Sequence, residues 1–115
     1  MDDKHDVPLN VAKAELFKVL AHPSRIRVLE LLQDGPRPVH ELLGELGLEA
    51  SNLSQQLGVL RRSGLVGSSR EGATVLYTLA TPDVADLLLH ARAILTSLWA
   101  ERRDLLESPS KAESR

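Results

Sequence analysis

Apolar residues recur at helical spacing through most of the chain and switch to alternation only once. Leu16, Val19 and Leu20 share one face of a helix predicted from about Val11 to Ala21, with Asn10 placed to cap it. His22-Pro23 breaks that helix and starts another, because proline fits the first helical position, where its missing N–H is not needed. The second helix, Ser24 to about Leu32, carries Ile26, Leu29 and Leu32 at helical spacing, and Asp34-Gly35-Pro36 ends it. A short helix follows from about Val39 to Leu46, with Leu42, Leu43 and Leu46 inward and Gly47 as its stop. Leu48-Glu49 leads into a helix from about Ala50 to Ser63, in which Leu53, Leu57 and Leu60 fall at i, i+4 and i+7 and Gly64 closes the last turn. Two helices joined by so short a glycine-containing turn mark a helix-turn-helix.

The period then drops to two. Leu65-Val66 and Thr74 to Leu79 read as strands, and Arg70-Glu71-Gly72-Ala73 as the hairpin turn between them. Thr81-Pro82 opens a last helix, with Thr81 as cap and Asp83 complementing the helix dipole. It reaches about Leu106, ~25 residues and ~37 Å. Leu87, Ala91, Ile94, Leu98 and Leu105 form its apolar stripe, with Trp99 alongside. The order α-α-α-α-β-β-α, mainly α with a small β-hairpin, is a winged helix-turn-helix. It occupies residues 9–107, between a polar arm (1–8) and a polar tail (108–115).

Composition narrows the class. The 115 residues make one domain, and 23 of them are leucine, an unbranched side chain that loses little freedom in a helix. A chain this short buries only ~65% of its unfolded surface. Leu16 and Phe17 on the first helix, with Leu87, Ala91, Ile94 and Leu98 on the last, are therefore expected to complete the core against a second copy. There is no cysteine, which excludes disulfides, thiolate metal sites and thiol chemistry. The longest uncharged windows, Ala50 to Leu60 and Gly72 to Pro82, fall short of the ~18–20 residues of a membrane span. The acidic start lacks the order of a signal peptide, so a cytoplasmic location is expected.

The net charge of −2 gives no overall attraction to nucleic acid, but its distribution does. From Ala50 to Arg70 there is no Asp or Glu, while Arg61, Arg62 and Arg70 are present. This longest acid-free stretch falls on the second helix of the helix-turn-helix and on the wing, the two elements that meet DNA. Ser51, Asn52, Ser54, Gln55 and Gln56 supply short polar side chains on its early turns, where base edges are reached. Arg61 and Arg62 suit phosphate at the helix end, and Arg70 at the wing suits the minor groove or a phosphate. Glu49, an acid at the cap position facing the same way, has no explanation in the sequence.

These features resemble the ArsR/SmtB family of bacterial dimeric winged-helix regulators. The resemblance runs in register from Leu16 to Leu32, through Glu41-Leu42-Leu43 and Leu46-Gly47-Leu48, to Ser54-Gln55-Gln56-Leu57-Gly58-Val59-Leu60-Arg61-Arg62-Ser63-Gly64-Leu65-Val66. Arg70-Glu71-Gly72 and Tyr77-Thr78-Leu79 complete it. It implies a homodimer that binds double-stranded DNA. It also implies metal sites that this chain does not match. Where family members carry a Cys-x-Cys pair stand Pro38, Val39 and His40, and the ligand positions of the last helix match Thr81, Asp83, Ile94 and Ser97.

Asp83, Asp86 and His90 do fall on one helix face, but both acids lie where the dipole alone favours them. No metal site and no cofactor are assigned. No nucleophile elbow, phosphate loop or carboxylate pair suggests an enzyme. The sequence is thus read as a homodimeric regulator, a repressor rather than an activator, on an inverted-repeat operator, with the effector open. Two alternatives stand beside it: a winged helix used for protein contact without DNA, and a regulator answering to an organic ligand or an atypical metal.

Overall fold

A computed structural model describes residues 7–107, with side chains as far as Arg103. The Leu105 side chain, residues 1–6 of the expected arm and the expected tail at 108–115 lie outside the described residues. The described residues form α1 (Leu9–Leu20), α2 (Pro23–Leu31), a 3-10 turn (Leu32–Asp34), β1 (Arg37–Pro38), α3 (Val39–Leu46), α4 (Ala50–Arg62), β2 (Val66–Glu71), β3 (Thr74–Leu79) and α5 (Pro82–Glu107). They divide into two compact units, one running to Ala85 and the other beginning at Asp86 within α5.

The core of the first unit is built on α2. Val28 and Leu29 have no exposed surface, and α1, α3 and α4 each pack against this helix. Leu42 of α3 and Leu53 and Leu60 of α4 are equally buried, with Leu57 close behind. Each fully buried leucine contributes ~1.5–3 kcal/mol relative to exposure, so the position of α4 is fixed by side chains placed at i, i+4 and i+7.

The links are short and hydrogen-bonded. Gly47 ends α3 in the left-handed region (φ 67°), where a side chain would be strained, and its N–H donates to the Leu43 carbonyl at 3.0 Å. Leu48 and Glu49 follow, and the Glu49 carbonyl accepts from Leu53 N–H at 3.0 Å. At the far end of α4, Leu65 N–H bonds the Leu60 carbonyl and Gly64 N–H the Arg61 carbonyl, both at 3.0 Å. That pair of bonds is a Schellman closure, and it aims the chain into the wing.

The sheet is antiparallel with order β1-β3-β2. Ala80 N–H to the Leu65 carbonyl (2.9 Å) closes the base of the β2–β3 ribbon. Thr81 caps α5 as expected, its Oγ1 accepting from Asp83 N–H at 3.2 Å. No helix among the described residues is long and apolar enough to cross a membrane.

Three local expectations are corrected. Asn10 does not cap α1; the helix begins at Leu9, because the Pro8 carbonyl already accepts from Val11 and Ala12 N–H, both at 3.0 Å. The hairpin is longer than expected: Arg70 pairs with Val75 and Glu71 with Thr74, leaving only Gly72-Ala73 as the turn. Gly72 has φ 64° and no non-glycine residue among those described has positive φ, which matches the type II′ turn that suits strand twist. The third correction is to the expected two strands: a further strand, β1, pairs its Arg37 and Pro38 with Tyr77 and Leu76 of β3.

Leu29→Ala is expected to cost ~2–5 kcal/mol of unfolding free energy, and Thr81→Ala ~0.5–2 kcal/mol. Urea unfolding at one fixed protein concentration compares them.

Candidate nucleic-acid interface

Rotation by about 100° per residue sorts α4 into two faces. Leu53, Gln56, Leu57 and Leu60 point into the first unit. Ser51, Gln55, Gly58 and Arg62, spaced i, i+4, i+7 and i+11, form a line along the opposite side, flanked by Asn52, Ser54 and Arg61. Ser51, Asn52, Ser54, Gln55, Arg61 and Arg62 are all exposed, and Arg70 is exposed on β2. The expected site residues of α4 therefore share one solvent-facing surface, with a single exception, and Arg70 stands apart on β2.

That exception is Gln56, a correction to the sequence reading. It is 5% exposed, the one buried polar residue among those described. Arg25 of α2 donates from Nε to Gln56 Oε1 at 2.9 Å and from Nη1 to the Val19 carbonyl at 3.1 Å. Gln56 Nε2 in turn donates to Asn52 Oδ1 at 3.0 Å. With its amide oxygen and nitrogen both engaged inside, Gln56 does not face a ligand.

Arg25 escaped the sequence reading although a signal was available. It precedes Val28, Leu29 and Leu32 by three, four and seven residues, which puts a cation on the inward face of α2. Gly58, part of the stretch that carries the family resemblance, was given no role of its own. It lies mid-helix, where glycine costs ~0.5–1 kcal/mol relative to alanine, and the Arg62 guanidinium lies across it: a Cβ there would meet Nη1 at 3.2 Å. The missing side chain lets Arg62 fold back along the exposed line.

Glu49 holds the position before α4 without a side-chain cap bond, using only its backbone carbonyl. Nothing in the structure explains the acid there. No group of three or more His, Cys, Asp or Glu side chains gathers among the described residues in a way that would hold a metal ion.

The residues expected at a second-copy interface are distributed as follows. Phe17 on α1 is 53% exposed, and Leu16 beside it is half-buried. On α5, Leu87 is half-buried, while Ala91, Ile94 and Leu98 are exposed, Ile94 to 60%. Leu95 and Trp99 widen the α5 stripe, and Leu89 lies exposed on the other side of the helix.

Comparison with known proteins places these features. The signature of the bacterial regulatory proteins of the arsR family matches residues 22–68. The chain is 54% identical over 101 residues to the HTH-type transcriptional regulator Rv0081 of Mycobacterium tuberculosis, covering 87% of this chain and 89% of that one. The crystal structure of Rv0081 superposes with a TM-score of 0.77, covering 84% of this chain and 97% of that one. A solution structure from Mycobacterium bovis, described as a homodimeric winged helix-turn-helix DNA-binding domain, superposes with a TM-score of 0.74 at 30% identity. It covers 88% of this chain and 92% of its own.

Gly58→Ala is expected to raise the unfolding free energy by ~0.5–1 kcal/mol and to push the Arg62 guanidinium off the exposed line. Thermal melting and the Arg62 Nε–H resonance check the two effects. A fall in stability would mean that the glycine serves packing.

Proposed function

The chain belongs to the ArsR family of bacterial regulatory proteins, and we propose that it acts as a homodimeric transcriptional repressor on an inverted-repeat DNA operator. The observation that carries the reading is the division of α4. One face is locked by Leu53, Leu57 and Leu60, while Ser51, Gln55, Gly58 and Arg62 line the other with no carboxylate from Ala50 to Arg70. A helix held in this way presents small polar groups to base edges and arginines to phosphates. Two copies place their α4 helices in successive major grooves, ~34 Å apart.

In this reading Gln55, on the centre of the exposed line, contacts bases, with Ser51, Asn52 and Ser54 around it. Arg61, Arg62 and Arg70 contact the backbone. Arg70, two residues before the Gly72-Ala73 turn, uses β2 as an arm rather than sitting at the tip. The apolar residues exposed on α1 and on α5 are each covered by the second copy. The homodimeric description of the M. bovis relative supports this, as does the ~1.5–3 kcal/mol that burying each such side chain contributes. The expected cytoplasmic location goes with a DNA partner. The effector stays open.

Fluorescence anisotropy on operator and scrambled duplexes at three salt concentrations separates the two kinds of contact. Gln55→Ala is expected to cost ~1–3 kcal/mol on operator and much less on scrambled DNA. Arg70→Ala is expected to weaken both evenly and to flatten the slope of log K against log salt by ~1 per arm. An unchanged operator affinity for folded Gln55→Ala would refute the placement of that face.

Light scattering at micromolar concentration is expected to report a dimer for the native chain and dissociation for Leu98→Asp. Leu98 is exposed on α5, so the aspartate adds no buried charge to a lone chain. A stable native monomer would refute the assembly.

A further inference from the structure

The chain of hydrogen bonds from Arg25 through Gln56 to Asn52 has a direction that chemistry imposes. A guanidinium donates and never accepts, so the Gln56 atom facing Arg25 Nε at 2.9 Å is the amide oxygen. The other end of that planar amide, Nε2, then faces Asn52 and donates to Oδ1 at 3.0 Å. Asn52 is itself exposed on the first turn of α4. With Oδ1 drawn toward Gln56, the Nδ2 amino group is the end of the Asn52 amide turned outward.

An asparagine free to rotate presents a donor and an acceptor together, the combination that reads adenine through N6 and N7. Asn52 is not free in this way. From these contacts we infer that Arg25 and Gln56 are positioning residues that fix the Asn52 amide, so that Asn52 reads a base-edge acceptor (N7, O6 or O4) as a donor. The inference rests on the DNA-binding reading above and adds which polarity one contact has and what sets it.

Burial makes the setting durable. Gln56 is 5% exposed and its partner Arg25 is half-buried. Turning the Gln56 amide over would leave Arg25 Nε facing a second donor, and buried donors left unsatisfied are strongly disfavoured. The Arg25 Nη1 bond to the Val19 carbonyl at the end of α1 holds the guanidinium from its other side. Three helices thus converge on the orientation of one amide.

Gln56→Glu inverts the relay. A carboxylate accepts from Arg25 as before, but offers Asn52 only an acceptor, so Nδ2 turns inward and Oδ1 faces out. Asn52→Asp reaches the same outward acceptor at an exposed position, where folding is not at risk. The experiment selects duplexes from a random pool with the native chain, Gln56→Glu, Asn52→Asp and Asn52→Ala. The base pair at which Asn52→Ala loses discrimination is then probed with analogues that each lack one major-groove acceptor or one amino donor.

The native chain is expected to lose about 2- to 10-fold in affinity, the worth of one hydrogen bond, with an analogue lacking an acceptor and nothing with one lacking the amino donor. Gln56→Glu and Asn52→Asp are expected to reverse that pattern. If the native chain selects no sequence at all, the DNA-binding premise fails and takes the inference with it. If it selects a sequence but Asn52→Ala weakens all duplexes alike, Asn52 meets phosphate and the inference is wrong. It is equally wrong if the variants keep the native analogue pattern, since a merely structural role for Gln56 lowers affinity without changing which atom is read.

Discussion

The nine residues of α2 carry the arrangement on which the rest of the structure depends. With so few side chains it meets α1, α3 and α4 together, and Val28 and Leu29 are wholly buried between them. A cation belongs on such a face only if hydrogen bonds offset its lost hydration. Arg25 meets that condition with the Val19 carbonyl on one side and Gln56 on the other. The core of the first unit is therefore two kinds of contact in one place: leucines that fix where α4 lies, and a polar relay that fixes how one of its amides is turned.

The division of labour on α4 follows. Leucines at 53, 57 and 60 occupy the inward face, and a polar residue among them is tolerated only because its donor and acceptor are both used. The outward line is kept free of acids although the chain as a whole carries two more acids than bases. A protein of net charge −2 gains little from long-range attraction to DNA, and surface charges act over only ~8–10 Å at physiological salt. Under the proposed reading, recognition by such a molecule depends on contacts made at the surface of α4 and along β2, where Arg61, Arg62 and Arg70 stand.

Much of this was legible in the sequence, and the failures have physical causes. The bounds of α3 follow from the leucine spacing and from Gly47, and those of α4 lie within a residue of expectation, because periodicity and helix stops are local properties. The extent of β2 was not legible. Gly67, Ser68, Ser69 and Arg70 have little strand preference of their own and are extended by pairing with β3, as Pro38 of β1 is. Gln56 was misplaced for a related reason. Its polarity suggests the surface, and the residue that brings it inside lies 31 positions away on another helix. A contact of that separation leaves no local periodic trace beyond one charge on the wrong face of α2.

The last helix shows the opposite limit. Every side chain described from Leu89 to Arg103 is exposed, and Leu89, Ile94, Leu95, Leu98 and Trp99 are among them. Helices in water owe most of their stability to burial of an apolar face rather than to intrinsic propensity. A stripe repeated over three turns and exposed among the described residues is a stability requirement that α5 does not meet by itself. Under the homodimer reading, the partner that places a second α4 on the operator is also the partner that the exposed stripe of α5 needs in order to be stable. Assembly and recognition then have one physical origin, the inability of a chain this short to cover its own leucines.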